Sequence, residues 1–217
     1  MNINFAKIPK DLTKKDYKTA KTYLEKNKFN DILASEETRV KVPHVSYINA
    51  NYVLDKYIAT QQPLKDTIND FWSMIYYTNT DLIVNLHGDN MYLPDKPEMV
   101  KIIYKSDDIE IRTINVHDRI VQHITYNGWP DYGVPDQDGF IQLYKMYKIF
   151  GNCSNVVVHC RAGIGRTGTF ILIDYITRKF GPRYILQTLI KMRESRVGMV
   201  QTKAQLEFAE NIILRLK

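Results

Sequence analysis

Asn155-Val-Val-Val-His-Cys-Arg-Ala-Gly-Ile-Gly-Arg-Thr-Gly168 is the stretch from which the rest of the chain can be read. Its three valines form a β-branched run that favours a buried strand, and the run ends on His159 and Cys160. Arg161, Ala162, Gly163, Ile164 and Gly165 form a tight loop leading to Arg166, and Thr167-Gly168 opens an apolar helix. A loop of that length can curl until its backbone N–H groups point inward, making an anion nest at a helix N-terminus. Arg166 adds a planar, two-pronged donor suited to two phosphoryl oxygens. Cys160 lies at the centre of this positive field, which favours thiolate over thiol. A thiolate facing a bound phosphate is a nucleophile aimed at phosphorus.

The spacing of Cys160 and Arg166 is by itself a weak signal. Gly163-Ile-Gly165-Arg-Thr-Gly168 also matches, formally, the dinucleotide-binding fingerprint. That fingerprint needs a second strand ending in an acidic residue about twenty positions on. Here a turn at Gly181-Pro182 and a helical stretch, Tyr184–Ile190, occupy that place. A dinucleotide fold would also gain nothing from a cysteine at the strand end.

The 217 residues are ample for a real core, and 44% hydrophobic with 25% charged residues is ordinary globular composition. Two cysteines, Cys153 and Cys160, give no disulfide framework and suit a reducing compartment; Cys153 reads as an ordinary loop thiol. No secretory leader and no apolar run of membrane-spanning length is present, so a soluble, cytoplasmic protein is expected. The net charge is +6, with much of the excess in Lys7, Lys10, Lys14, Lys15, Lys18, Lys21, Lys26 and Lys28. These read first as a solvated basic helix face and second as a field that steers acidic phosphopeptides.

No repeat or linker divides the chain, so one domain over residues 1–217 is expected. Helices are expected over 13–26, 65–77, 139–150, 166–180, 183–193 and 203–216. Strands are expected over 81–86, 99–105, 109–116, 119–126 and 155–160. The 65–77 helix is the clearest, with Ile68, Phe71, Trp72 and Ile75 at helical spacing. Strands flanked by helices, with a phosphate loop between a central strand and a helix, make a mixed α/β sheet.

Displacing a phosphoryl group by sulfur needs an acid for the leaving oxygen. Asp131 is the candidate, in the Gly- and Pro-punctuated loop Asn127-Gly-Trp-Pro-Asp131-Tyr-Gly-Val-Pro135 that Trp129 can anchor. Gln201 and Gln205, four apart at the start of the last helix, could position a water for hydrolysis of the intermediate. Thr167 could hydrogen-bond the sulfur, and His159 reads as an orienting residue rather than a base.

These residues together resemble the tyrosine-specific, cysteine-dependent protein phosphatases over about residues 20–212. His159–Gly168 resembles the signature loop and Trp129-Pro-Asp131 the mobile acid loop. Tyr47-Ile-Asn-Ala-Asn51, Tyr57-Ile-Ala-Thr-Gln-Gln-Pro63 and Asp70-Phe-Trp-Ser-Met74 look like framework motifs, and Gln201-Thr-Lys-Ala-Gln205 like the glutamine loop. The resemblance implies one catalytic domain with a highly twisted sheet, hydrolysing phosphotyrosine in proteins through a cysteinyl-phosphate, with no cofactor or metal. It makes Cys160 the nucleophile, Arg166 the phosphate ligand and Asp131 the acid and then base. Gln201 and Gln205 handle water, and Arg193 and Arg196 support the site. A compact form of this kind is similar to a viral member of the family, which would act as a monomer in the host cytoplasm.

In the stretch that matches the family's recognition loop, Phe29 stands for the usual tyrosine and Lys28 for arginine, while Asp31 is kept. Phe29, Ile32, Ala162 and Ile164 are the expected walls of an apolar slot too deep for phosphoserine. Arg161 replaces the commoner serine after the nucleophile and adds charge at the rim. The family's brace for the phosphate-binding arginine is a glutamate in a longer loop; Asp89, in His87–Met91, is the shorter stand-in. Two other functions share the Cys/Arg loop: a phosphotyrosine trap with little turnover, and a phosphatase of RNA 5′-ends or phosphoinositides. The first goes with loss of Cys, Arg or Asp, none of which is lost. The second goes with further basic residues in the loop, where only Arg161 qualifies, so nucleic acid is not the expected partner.

Overall fold

A computed structural model describes residues 5–10, 15–131, 133–150 and 154–217. Seven strands form one mixed sheet: β1 (Ala50–Val53), β2 (Tyr57–Gln61), β3 (Leu82–Asn85), β4 (Val100–Lys105), β5 (Ile109–Val116), β6 (Arg119–Tyr126) and β7 (Val156–Cys160). Their order across the sheet is β1-β2-β7-β3-β6-β5-β4. The helices are α1 (Lys18–Thr22), α2 (Ile68–Tyr77), α3 (Gln137–Ile149), α4 (Gly165–Lys179), α5 (Ile185–Ser195) and α6 (Lys203–Arg215). The expected α/β class holds.

β7 lies between β2 and β3 and runs parallel to both, so all five of its residues are buried. A strand covered on both faces reads as a continuous apolar run, which is why three valines in a row suit it. Val156 and Val158 enter the larger apolar cluster with α3 to α6, while Val157 faces the opposite cluster with α2. The register pairs Gln61 with Cys160, and Asn85 with both His159 and Thr125. The carboxyl ends of four parallel strands therefore meet along one edge, the usual place for a ligand in such sheets.

Two strands escaped the sequence reading. In β2, Tyr57 to Gln61 is buried throughout and so carries no alternation, and β1 holds the buried Asn51. Their strand character comes from pairing with β7 and with each other, not from local preference.

The helix expected over 13–26 also needs correction; residues 13 and 14 lie outside the described residues. α1 ends at Thr22, because the amide of buried Asn27 donates to the carbonyls of Ala20, Tyr23 and Leu24 (3.2, 3.1 and 3.4 Å). A side chain that takes the last carbonyls stops the helical ladder. The basic run is more than a solvated face. Lys26 pairs with Asp70 at 2.8 Å, and Lys15 caps α5 through the carbonyls of Arg193 and Glu194. Lys14 and the side chain of Lys7 lie outside the described residues, as do Tyr132 and the loop thiol Cys153.

α4, which follows the phosphate-type loop, is buried on most of its surface. Its Asp174 is fully buried and accepts the hydroxyls of Tyr57, Tyr147 (both 2.6 Å) and Tyr144 (3.0 Å). Burial and the nearby carboxylate push all three phenols well up, so they stay neutral donors. This node ties α4 to β2 and α3, and with them the loop that α4 carries.

Candidate active site

Cys160 ends β7 and is only 4% exposed. The N–H of Gly163 points at its sulfur, at 3.3 Å. Gly163 has φ +73°, and a Cβ there would collide with the Thr60 carbonyl of β2, so no other residue fits this turn. The loop's carbonyls are turned outward by Arg196, whose side chain is 1% exposed. It donates to the oxygens of Gly163 (2.8 Å) and Ala162 (3.1 Å), and to the side chains of Asn51 (2.6 Å) and Asn49 (2.7 Å). With the carbonyls held away, the Gly163 amide is left facing the sulfur. Burial lowers Arg196 to about 10, still charged at neutral pH. We expect Arg196→Ala to strand these buried acceptors and cost about 3 kcal/mol. A fall in the urea midpoint with an unchanged slope would register it.

Arg166, in the first turn of α4, reaches across the cleft. Its guanidinium donates to the carbonyl of Leu86 (3.1 Å), to the carbonyl of Pro130 (3.2 Å) and to the Asp131 carboxylate (2.7 Å). The acid loop is thus drawn over Cys160. Trp129 anchors that loop: it is 4% exposed, packs edge-on against Phe140 and donates its indole N–H to Gly133. Asp89 is not the stand-in brace. Its carboxylate accepts from the N–H of Met91 (3.0 Å), and the Leu86 carbonyl holds Arg166 instead. The shortened loop keeps the brace in backbone, where sequence gives no sign of it.

His159 is fully buried, with its Nε2 2.6 Å from the Tyr92 hydroxyl; the same hydroxyl lies 2.7 Å from Nε2 of His123. Burial depresses His159 to about 3 and pushes His123 well below its ordinary range. Unfolded histidines take up protons near pH 6.5, so below that the unfolded state binds more protons than the fold. Their contribution to stability is complete above about pH 6.5 and is lost as pH falls toward 3, by at most about 1.4 kcal/mol per pH unit per histidine. Urea midpoints between pH 8 and 4 should show this slope, and His159→Gln should flatten it.

Gln201 and Gln205 reach the loop from the other side. The next residue back, Val200, has φ +56°, a strained value for a β-branched residue. Two contacts hold it there: its N–H donates to Ile164 (3.1 Å), and its carbonyl accepts from Arg193 (2.9 Å). Arg193 is buried and donates as well to the carbonyls of Met199, Ile8 and Pro9, so it binds the glutamine segment to the N-terminal one. Gln205 closes a capping box with Thr202 at the start of α6 and accepts from the N–H of Gln201 (2.9 Å). Both amide side chains sit against Gly165.

A cleft of about 620 Å³ opens over Cys160. Arg161, Ala162, Gly165 and Arg166 line it, flanked by Phe29, Asp31 and Ile32, by Pro130 and Asp131, and by Gln201 and Gln205. Ile164 is not a wall of this slot. It is 4% exposed and packs into the main core, because the turn at Gly163 sends it down rather than up. The hydroxyl of Thr167 is buried and without a hydrogen-bond partner among the described residues. The recognition stretch is fixed by polar contacts that sequence reading missed. Gln61 accepts from the Lys28 N–H and donates to the Lys26 carbonyl, and Asn49 joins Asn27 and the Ile32 carbonyl to Arg196. The quoted motifs contain Asn49, Asn51 and Gln61, which was the one available signal.

Residues 23–215 match the family model for protein-tyrosine phosphatase. The chain belongs to the protein-tyrosine phosphatase family. The chain is 30% identical to mouse tyrosine-protein phosphatase non-receptor type 20, over 88% of this chain and 54% of that protein. It is 37% identical to tyrosine-protein phosphatase 2 of Dictyostelium discoideum, over 75% and 52%. The chain thus spans about half the length of these curated relatives. A solved structure described as the structural basis of PTPN18 fingerprint on distinct HER2 tyrosine phosphorylation sites superposes with a TM-score of 0.80. That likeness, at 27% identity, covers 90% of this chain and 84% of that one. Relatives from these organisms lend the expectation of a viral source no support. Among the described residues no helix is long and apolar enough to cross a membrane.

Proposed function

We propose that this family member is an active phosphatase of phosphotyrosine in proteins, working as a single catalytic domain. The reading rests on one observation: Cys160, Arg166 and Asp131 share one cleft, with the Arg166 guanidinium bonded to the acid. The Cys160 thiolate attacks phosphorus, an S–P bond forms and the aryl P–O bond breaks. Arg166 and the inward amides of residues 161–165 hold the phosphoryl oxygens, and Asp131 delivers its proton to the leaving phenolate oxygen. In the second step Asp131 takes a proton from a water held by Gln201 and Gln205. That water attacks phosphorus, and the S–P bond breaks to return the thiolate. The unpartnered hydroxyl of Thr167 eases the sulfur's departure by donating to it. His159, Trp129, Arg193 and Arg196 position these groups. Phe29, Ile32 and Ala162 make the apolar sides that a phosphotyrosine ring fills, while Asp31 takes the peptide backbone.

The chemistry uses no metal and suits a monomer in the reducing cytoplasm, where the thiol stays available. Side-by-side turnover of phosphotyrosine peptide, phosphoserine peptide, phosphoinositide and 5′-triphosphorylated RNA, with chelator present, tests the reading. We expect the phosphotyrosine peptide to be hydrolysed fastest. Binding without turnover would make the protein a trap, and a faster lipid or RNA reaction would reassign the substrate.

A further inference from the structure

A segment far from the nucleophile in the chain, residues 5–10, is built into the support of the two glutamines. Phe5–Lys7 make one 3-10 turn, and the Ile8 N–H donates to the Phe5 carbonyl at 3.1 Å. The carbonyls of Ile8 and Pro9 then accept from a single nitrogen, Nη1, of buried Arg193 (2.8 and 2.9 Å). The other two nitrogens of the same fork hold the glutamine segment, Nε on the Met199 carbonyl (3.0 Å) and Nη2 on that of Val200 (2.9 Å). A guanidinium is planar and rigid, so fixing one side of the fork fixes the other. The Phe5 ring lies 5.2 Å from the guanidinium carbon, and Ile8 enters the main core. A further bond joins the Gly198 N–H to the Lys10 carbonyl (3.4 Å).

Val200 is where this bracing acts. Its φ of +56° is costly for a β-branched residue and persists only where its neighbours over-determine it. Loosening residues 5–10 leaves Nη1 without its two acceptors and opens Arg193 to water. The hold on the Val200 carbonyl then weakens, and Gln201, next in the chain, shifts. Cys160, Arg166 and Asp131 are held by other parts of the fold: the Gly163 turn, the Leu86 carbonyl and the loop anchored by Trp129. We propose that residues 5–10 are a strap, with Phe5 and Ile8 as positioning residues, that sets the glutamines for hydrolysis of the cysteinyl-phosphate and not for its formation. This rests on the phosphatase reading above. In the step it serves, a water oxygen bonds to phosphorus as the S–P bond breaks, the electron pair returns to sulfur and the water proton passes to Asp131.

Phe5→Ala and Ile8→Ala, each in the full chain, test the strap by rapid-mixing hydrolysis of nitrophenyl phosphate. Here kcat/KM reports formation of the intermediate with release of nitrophenolate, whereas kcat includes its hydrolysis. We expect kcat to fall about tenfold, inside the roughly 10² that a 1 Å misplacement costs. KM should fall in step, leaving kcat/KM unchanged, and nitrophenolate should appear in a burst of about one equivalent per enzyme. Phe5→Tyr keeps the ring and should behave as the unaltered protein. A fall of kcat/KM together with kcat, without a burst, would mean general loosening of the cleft and overturn the strap. Unchanged kcat in both alanine variants would overturn it too. Phe5 is only half-buried, so its variant decides the matter if Ile8→Ala does not fold. No turnover by the unaltered protein would remove the phosphatase reading and the strap together.

Discussion

Cys160→Ser loses turnover of aryl phosphate and phosphotyrosine peptide by on the order of 10⁴-fold or more, the scale seen when a nucleophile is removed. Serine preserves the turn at Gly163 and the amide there that faces residue 160, and Arg166 keeps its position in α4. What vanishes is the sulfur nucleophile that faces the Gly163 N–H; a serine hydroxyl has no base beside it to serve the same purpose. His159 cannot act as that base. Its Nε2 is engaged by Tyr92, 2.6 Å away, and the fully buried ring does not line the cleft. Binding of phosphotyrosine peptide should persist, which titration calorimetry would measure. Full activity in this variant would refute a covalent route through sulfur.

Asp131→Asn lowers kcat on phosphotyrosine peptide by about 10²–10⁴, the usual range for a lost general acid. The carboxylate is 79% exposed at the tip of its loop and touches Arg166 at 2.7 Å. Asparagine keeps an oxygen for that contact, so the loop can still lie over the cleft, but it has no proton to give. The loss should therefore depend on the leaving group. It should be severe for the poor phenolate of tyrosine and milder for nitrophenolate, which leaves readily without a proton. An equal loss on both substrates would make Asp131 a latch on Arg166 rather than an acid.

Legibility differed between kinds of residue. The strand–loop–helix around Cys160 could be read because its parts are local: a β-branched run, a glycine-punctuated loop and an apolar helix lie within one short segment. α2 was equally plain, since one face carries its apolar side chains and buries Phe71, Met74 and Ile75. β1 and β2 were not, because a strand buried on both faces, or holding polar residues for distant partners, has no period to detect. Ile164 shows the same limit at the scale of one side chain. Its hydrophobicity was evident, but whether it faced cleft or core depended on a glycine turn wedged under Thr60.

The order of residues alone supplied the groups for the chemistry we propose: a thiol, a guanidinium, a carboxylate and two amides in segments of recognisable character, with a central strand and its helix. Contacts between segments far apart in the chain set how those groups are held. Arg196 turns the carbonyls of Ala162 and Gly163 outward by leaning on Asn49 and Asn51, and backbone oxygens of Leu86 and Pro130 brace Arg166 where an acidic side chain was expected. A carbonyl is present at every position of the chain and carries no residue identity. Which of them receives a buried charge is settled only when the chain has packed.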